Sequence, residues 1–221
     1  MKRMLAGALA SMALVTGCGG LQAADIDTDP QKAPSADVGG ARKDLDKLEV
    51  KGRAPKTGFE REKFGPAWAD VDHNGCGTRD DILKRDLRDE TFKAGTHDCV
   101  VLTGVLDDPY SGKTIHFKRG QDTSSAVQID HLIPLSDAWQ KGAQQWTKDK
   151  RKEFANDPLN LLAVDGPLNG QKSDADAATW LPPRKAYRCA YIVRQVKVKT
   201  KYALWVTEAE KTAMKDILSS C

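Results

Sequence analysis

Three absences bound this 221-residue sequence. No stretch is long and apolar enough to cross a bilayer comfortably, the short run at positions 4–15 included, which excludes a multi-span membrane protein. No cysteine has a CxxC partner, which counts against a zinc site. Strong charge of one sign is also missing, since the formal net charge is only +3. Without Lys2, Arg3 and the thirteen charged residues between Asp25 and Arg53, 26 basic residues face 24 acidic ones. A chain holding nucleic acid by bulk charge would show a larger basic excess, so any such binding must come from local clustering. No internal repeat is visible.

What is present begins with an export pattern. Lys2 and Arg3 precede the apolar run, and Val15-Thr16-Gly17-Cys18 follows it. A basic start and a short apolar run make a signal sequence. The small residues before Cys18 resemble a bacterial lipobox. Residues 1–18 are therefore expected to be a lipoprotein signal peptide. Lipidated Cys18 would then hold a soluble chain on the outer face of the cytoplasmic membrane. The alternative is a secreted protein cut after Ala23 or Ala24. Cys76, Cys99, Cys189 and Cys221 remain, an even number that favours two disulfides in an exported protein. Sequence order suggests Cys76 with Cys99 and Cys189 with Cys221, among three possible pairings. Residues 19–56 are rich in Asp, Lys, Ala, Gly and Pro with almost no aromatics, and read as a disordered polar tether. Residues 57–221 are left as the folded domain.

Within that domain, Thr78 can cap a helix over 79–88. Residues 99–106 read as a strand, 107–112 as dense turn chemistry, and 114–117 as the returning hairpin partner. Strands are expected at 127–133 and 159–164, helices at 136–146 and 148–155, and a further helix opened by Pro167. The last helices are expected over 187–201 and from Thr207-Glu208-Ala209-Glu210, a capping box, to Ser219.

Chemistry is carried by three segments: Asp130-His131-Leu132-Ile133-Pro134, Asn160-Leu161-Leu162, and Asn169-Gly170-Gln171-Lys172-Ser173-Asp174. Phosphodiester hydrolysis of this kind needs a base to activate water and a divalent cation on the phosphate. Asp130 and Asn169 offer hard oxygen ligands suited to Mg²⁺, and His131 offers a base near neutral pH. Adjacent strand residues face opposite sides, so Asp130 and His131 can share a site only where the strand ends or twists. Asn169 and Lys172, three apart on a helix, share a face near its expected N-terminus, and Lys172 is the best candidate for a phosphate contact.

These segments resemble the ββα-metal (His-Me finger) site of HNH nucleases in the variant whose last His is Asn. The Asp-His-x-x-Pro and Asn-x-x-Lys-Ser-Asp runs are also similar to the HNH domain of RNA-guided CRISPR effectors. More of the chain resembles exported actinobacterial HNH proteins related to the C-terminal domain of GmrSD-type restriction enzymes. The matching stretches are Trp68-Ala69-Asp70 through Arg79, Asp108-Pro109-Tyr110-Ser111-Gly112, Ala138-Trp139, Gly142-Ala143, Phe154-Ala155-Asn156-Asp157-Pro158 and Trp180-Leu181-Pro182-Pro183. The resemblance implies an α+β domain: a ββα-metal core with additional helices, a β-hairpin and disulfide staples. It implies Asp130 and Asn169 as metal ligands, His131 as general base, and Asn160 as the residue that holds the finger in shape. An amide in place of His at Asn169 favours Mg²⁺ or Mn²⁺ over Zn²⁺.

The expected function is metal-dependent endonuclease cleavage of nucleic acid, DNA before RNA. The alternative is a non-catalytic surface lipoprotein that binds a partner, or calcium, on the same frame. Asp70, Asp72, Asn74 and Asp81 fit part of an EF-hand calcium loop, though Asp rather than Glu stands at the twelfth position. A structural turn is the plainer reading. The lysines from 197 to 201 read as a solvated face or a local basic patch.

Overall fold

The computed structural model describes residues 35–221, so the signal segment, Cys18 and the first part of the tether lie outside the described residues. From Ser35 onward the expected tether is corrected: Ser35–Lys47 is a helix, α1. Its average composition is polar, but Val38, Ala41 and Leu45 form a sparse stripe that buries against the last two helices. Beyond α1 the chain stays paired with the body. Lys51 N donates to Val206 O, Val206 N to Glu49 O, and Ala54 N to Gln140 O, at 2.9–3.0 Å.

Thr78–Asp86 forms α2, capped by Gly77 rather than Thr78, whose hydroxyl donates to the Ala69 carbonyl instead. A three-stranded antiparallel sheet follows in the order β1 (Arg88–Phe92), β2 (Val101–Asp107), β3 (Thr114–Lys118). Strand β1 was not expected. Its sequence is polar because it is an edge strand with mostly exposed side chains, and the alternation that marks a buried strand is missing. The Cys76–Cys99 disulfide ties the start of α2 to the approach to β2.

The next elements are β4 (Val127–His131), α3 (Leu135–Gln140), α4 (Lys148–Asn156), β5 (Leu161–Asp165) and α5 (Gly166–Lys172). The expected 136–146 helix breaks at Lys141-Gly142, where Gly142 takes φ +133° and a short 3-10 turn replaces the helix. Strands β4 and β5 pair antiparallel, Asp130 opposite Leu162 and His131 opposite Leu161. Asp165 ends β5 and caps α5 by accepting from Leu168 N at 2.8 Å, with Pro167 in the first turn. The order is strand, strand, helix.

Both faces of this hairpin are covered. Leu161 and Ala163 join Val127 and Ile129 in a core with α2, β2 and β3, whereas Leu162 and Val164 point toward Tyr110, Tyr187 and Tyr191. That second side is closed by α6 (Arg188–Tyr202) and α7 (Glu208–Ser219), which carries the expected capping box at Thr207 and Glu210. The Cys189–Cys221 bridge staples α6 to the end of α7. A third, aromatic cluster joins Phe64, Trp139, Phe154, Trp146 and Tyr202. The lysine run is not a basic patch. Lys197 pairs with Asp37, Lys201 with Asp157, and Lys199 is buried against Glu210. Alternate lysines on a helix point to different faces, and one of these faces the core.

Candidate active site

The period-two pattern of β4 sets two residues toward α5. Gln128 and Asp130 share that face, and the helix answers with Asn169 and Lys172, three apart. Asn169 Nδ2 donates to Gln128 Oε1 at 2.9 Å, and Lys172 Nζ donates to Asp130 Oδ1 at 2.9 Å. The amide of Asn169 thus spends its donor on the strand and keeps its oxygen. Asp130 is 4 % exposed. Its second oxygen accepts from Tyr110 Oη at 2.5 Å.

Lys172 is fully buried and also donates to the His131 carbonyl at 2.8 Å. The expectation of a phosphate contact is therefore corrected: its ammonium orients Asp130. It also closes the seven-residue α5 instead of standing near the helix N-terminus.

His131 is the last residue of β4, and its partners lie on the other side of the strand. Its Nε2 is 2.8 Å from Ala155 O at the end of α4. A carbonyl can only accept, so Nε2 carries the proton and Nδ1 keeps its lone pair. Burial pulls the ring pKa down to about 4, against the raising effect of the Ala155 carbonyl and helped by the charges of Arg61 and Lys172. The ring stays neutral at pH 7. The alternation problem is resolved by position: β4 stops at His131, and Asp130, His131 and Asn169 line one cleft of about 310 Å³.

Asn160 joins the two ends of the finger. Its Oδ1 accepts from Ile133 N at 2.9 Å, its Nδ2 donates to Ile133 O at 3.3 Å, and its carbonyl accepts from Leu132 N at 2.8 Å. Two arginines stake the loop that carries it. Arg85 donates to the Pro158 and Leu161 carbonyls, and Arg194 to those of Pro158, Leu159 and Leu161, at 2.6–2.8 Å. Asp157 caps the turn from the other side by accepting from Leu159 N at 2.8 Å.

Tyr110 is the residue that sequence reasoning passed over. It lies inside the Asp-Pro-Tyr-Ser-Gly turn, which carried the family likeness but no assigned role. Buried Asp108 pins that turn to the finger: Oδ1 accepts from Asp165 N at 2.9 Å, and Oδ2 from Ser111 N and Oγ. Burial and the neighbouring Asp130 charge raise the Tyr110 pKa well above its usual value, so the phenol is a standing donor. Trp180, from another of the likeness stretches, packs edge-on at 5.0 Å.

The segment that fits part of a calcium loop is closed on itself, as a structural turn. Asn74 Nδ2 donates to Asp72 Oδ2 at 3.0 Å and Asp81 Oδ1 at 3.2 Å, and Gly75 N donates to Asp70 Oδ2 at 3.0 Å. An amide donor stands between two carboxylates that would have to face a cation. Among the described residues no group of three or more His, Cys, Asp or Glu is arranged to hold a metal ion. Asp130 with Asn169, one carboxylate and one amide oxygen, is a smaller set of a different kind.

Comparison with known proteins places the chain. The family model described as GmrSD restriction endonucleases, C-terminal domain, matches residues 77–217, from the start of α2 into α7. A protein of Arthroderma benhamiae described as an uncharacterized secreted protein is 37% identical over 194 residues, spanning 87% of this chain and 89% of its own length. The stretch matched by the family model contains Tyr110, the whole ββα unit, Asn160 and the arginines that stake its loop, and this chain belongs to the family of GmrSD restriction endonuclease C-terminal domains.

Proposed function

We propose that the protein is a metal-dependent endonuclease of the HNH type that hydrolyses nucleic-acid phosphodiesters, with DNA as the first substrate to test. The observation that carries this reading is the convergence of Asp130, His131 and Asn169 on one cleft, on a hairpin closed by Asn160. The donor set fits a hard divalent cation such as Mg²⁺ or Mn²⁺: each Asp130 oxygen has one protein donor and retains a lone pair, and Asn169 retains its amide oxygen. When bound, such a cation neutralises charge on the phosphate and on the departing 3′ oxygen.

The protein's own residues do the rest. His131 Nδ1 takes a proton from water, and the water oxygen attacks phosphorus as the bond to the 3′ oxygen breaks. The departing 3′ oxygen takes a proton from solvent water, so the products are a 5′-phosphate and a 3′-hydroxyl. The phosphate's negative charge favours the imidazolium, which strengthens an otherwise weak base in the complex. Ala155 holds the ring's tautomer, Lys172 and Tyr110 fix the Asp130 carboxylate, and Asn160 keeps the two strand ends in register.

Removing a general base costs about 10²–10⁴-fold in rate. The purified chain should nick plasmid DNA with Mg²⁺ or Mn²⁺ and not with EDTA, and His131→Ala should lose activity by that factor. Cleavage by His131→Ala at the wild-type rate would sink the mechanism. A second reading, a non-catalytic surface protein that binds a partner or calcium, draws on the buried Lys172–Asp130 pair, since a carboxylate with two protein donors has less to offer a cation. No metal-dependent cleavage by wild type would favour it.

The place of action follows from separate evidence. Two disulfides suit an oxidising compartment. The similar protein described as secreted supports export. Lipidation of Cys18 and anchoring to the membrane rest on the sequence around that cysteine. Mass spectrometry of the mature N-terminus would separate a diacylglyceryl cysteine from cleavage after Ala23 or Ala24.

A further inference from the structure

His131 stands between two cavities. Beyond the cleft that holds Asp130 lies a second one of about 500 Å³, within the ~300–1,000 Å³ range of ligand pockets. The two adjoin, since Arg61, His131 and Leu135 line both. The walls of the second are chiefly apolar and include Phe64, Pro66 and Trp68. Trp68 lies nearly parallel to the His131 ring, 16° between planes and 6.2 Å between centroids. Its backbone sits at φ +59°, a conformation that a bulky side chain rarely adopts and that clusters at functional sites. Arg61 is exposed, and among the described residues its side chain has no hydrogen bond or ion pair. Among the lining residues, only Asn156 has a buried side-chain atom, Oδ1, without a hydrogen-bond partner.

An apolar cavity with an aromatic wall, beside a polar cleft and bridged to it by an exposed guanidinium, matches one ligand chemistry: a base next to its phosphate. We propose that this cavity is a nucleobase subsite. An unstacked base adjoining the scissile phosphate lies against Trp68, and Arg61 holds the flanking phosphate. A base inside a duplex cannot enter, so single-stranded nucleic acid is the preferred substrate form, with an extruded base as the duplex route. This inference rests on the nuclease reading above and adds to it the form of the substrate.

The test measures binding and cleavage separately on the full chain. Fluorescence anisotropy in EDTA reads affinity for a mixed-sequence single-stranded DNA 12-mer and for the matching duplex, and cleavage of both is then read with Mg²⁺. Wild type should bind and cut the single strand better. Trp68→Ala should weaken single-strand binding roughly tenfold or more, the loss of one stacked base, and leave duplex binding unchanged. Trp68→Phe should restore most of it. Arg61→Ala removes an exposed, unpartnered side chain and carries no folding risk. It should weaken single-strand binding and lower the salt dependence by about one phosphate contact.

Equal cutting of both forms, or single-strand affinity unchanged in both Arg61→Ala and Trp68→Ala, overturns the subsite while leaving the nuclease standing. If wild type cuts neither form, the nuclease reading fails, and the EDTA binding arm still decides whether the slot takes a base. Absence of binding to either form assigns the slot to another occupant, such as a protein segment, and overturns the proposal.

Discussion

Lys172 and Lys141 are both fully buried against carboxylates, yet their surroundings differ. Lys172 meets one carboxylate, Asp130, at the edge of an open cleft, and the two charges cancel as a pair. Lys141 sits in a closed network between α3, α6 and α7. Its Nζ lies 2.7 Å from Asp137, 2.8 Å from Asp176 and 2.6 Å from Glu210. Lys199 adds an ion pair with Glu210 at 2.9 Å, and Arg53 reaches Asp137 and Asp176. Three cations balance three carboxylates, and none of the six lines the cleft that holds Asp130. The closed network can only specify structure, whereas the open pair leaves Asp130 lone pairs facing a space that a ligand can enter.

The largest effect should come from breaking the closed side. Lys141→Met leaves three buried carboxylates with two cations between them and should cost about 3–5 kcal/mol, read as a drop in urea midpoint. A loss below about 1 kcal/mol would mean that the network tolerates internal vacancies and the contrast fails. Lys172→Met should cost less, about 1.5–3 kcal/mol, because Tyr110 still donates to Asp130 and the cleft admits water. It should also respond to metal. With the ammonium gone, Mg²⁺ should raise the Tm of Lys172→Met more than that of wild type, by binding linkage. Equal shifts would place the cation elsewhere. Tyr110→Phe is gentler still, about 1 kcal/mol, since one hydrogen bond is lost and Lys172 remains. Its cleavage defect should lie in kcat and not in KM, as expected for a residue that orients Asp130.

The contrast also marks what a sequence displays. The finger was legible because its parts are local: a strand ending in Asp-His, an apolar strand, and a proline-opened helix within 46 residues, 127–172. The capping box at Thr207 and the sequential disulfides are local in the same sense. The lysine networks are not. Glu210 is 69 residues from the Lys141 it holds. Nothing in a lysine's neighbours says that it will be buried. Helix α1 was hidden because three apolar residues in a polar segment fall below what composition can register. Strand β1 was hidden because an exposed edge needs no apolar face.

Acidification should take the two sides apart in order, and this is the smallest and most discriminating of the effects. His131 belongs to the open side, and burial pulls its folded pKa down to about 4 from an ordinary value near 6.5. Between those limits the unfolded chain binds a proton that the folded one does not, so stability falls as pH drops from about 6.5 toward 4. Asp176 belongs to the closed side. Burial would raise its pKa, but the charges of Lys141 and Arg53 outweigh that and hold it at about 2, below its ordinary 3.8. Its contribution is intact above pH 3.8 and is lost only as pH falls toward 2. Melting curves from pH 7 to 2.5 should therefore show an early loss that His131→Asn removes and a late loss that Asp176→Asn shifts. The same burial predicts that the acid limb of kcat/KM lies near pH 4, where the free ring takes up its proton, and not near 6.5. Should His131→Asn run parallel to wild type between pH 6.5 and 4, the ring titrates as it would in water, and the Ala155 contact does not hold it inside the fold.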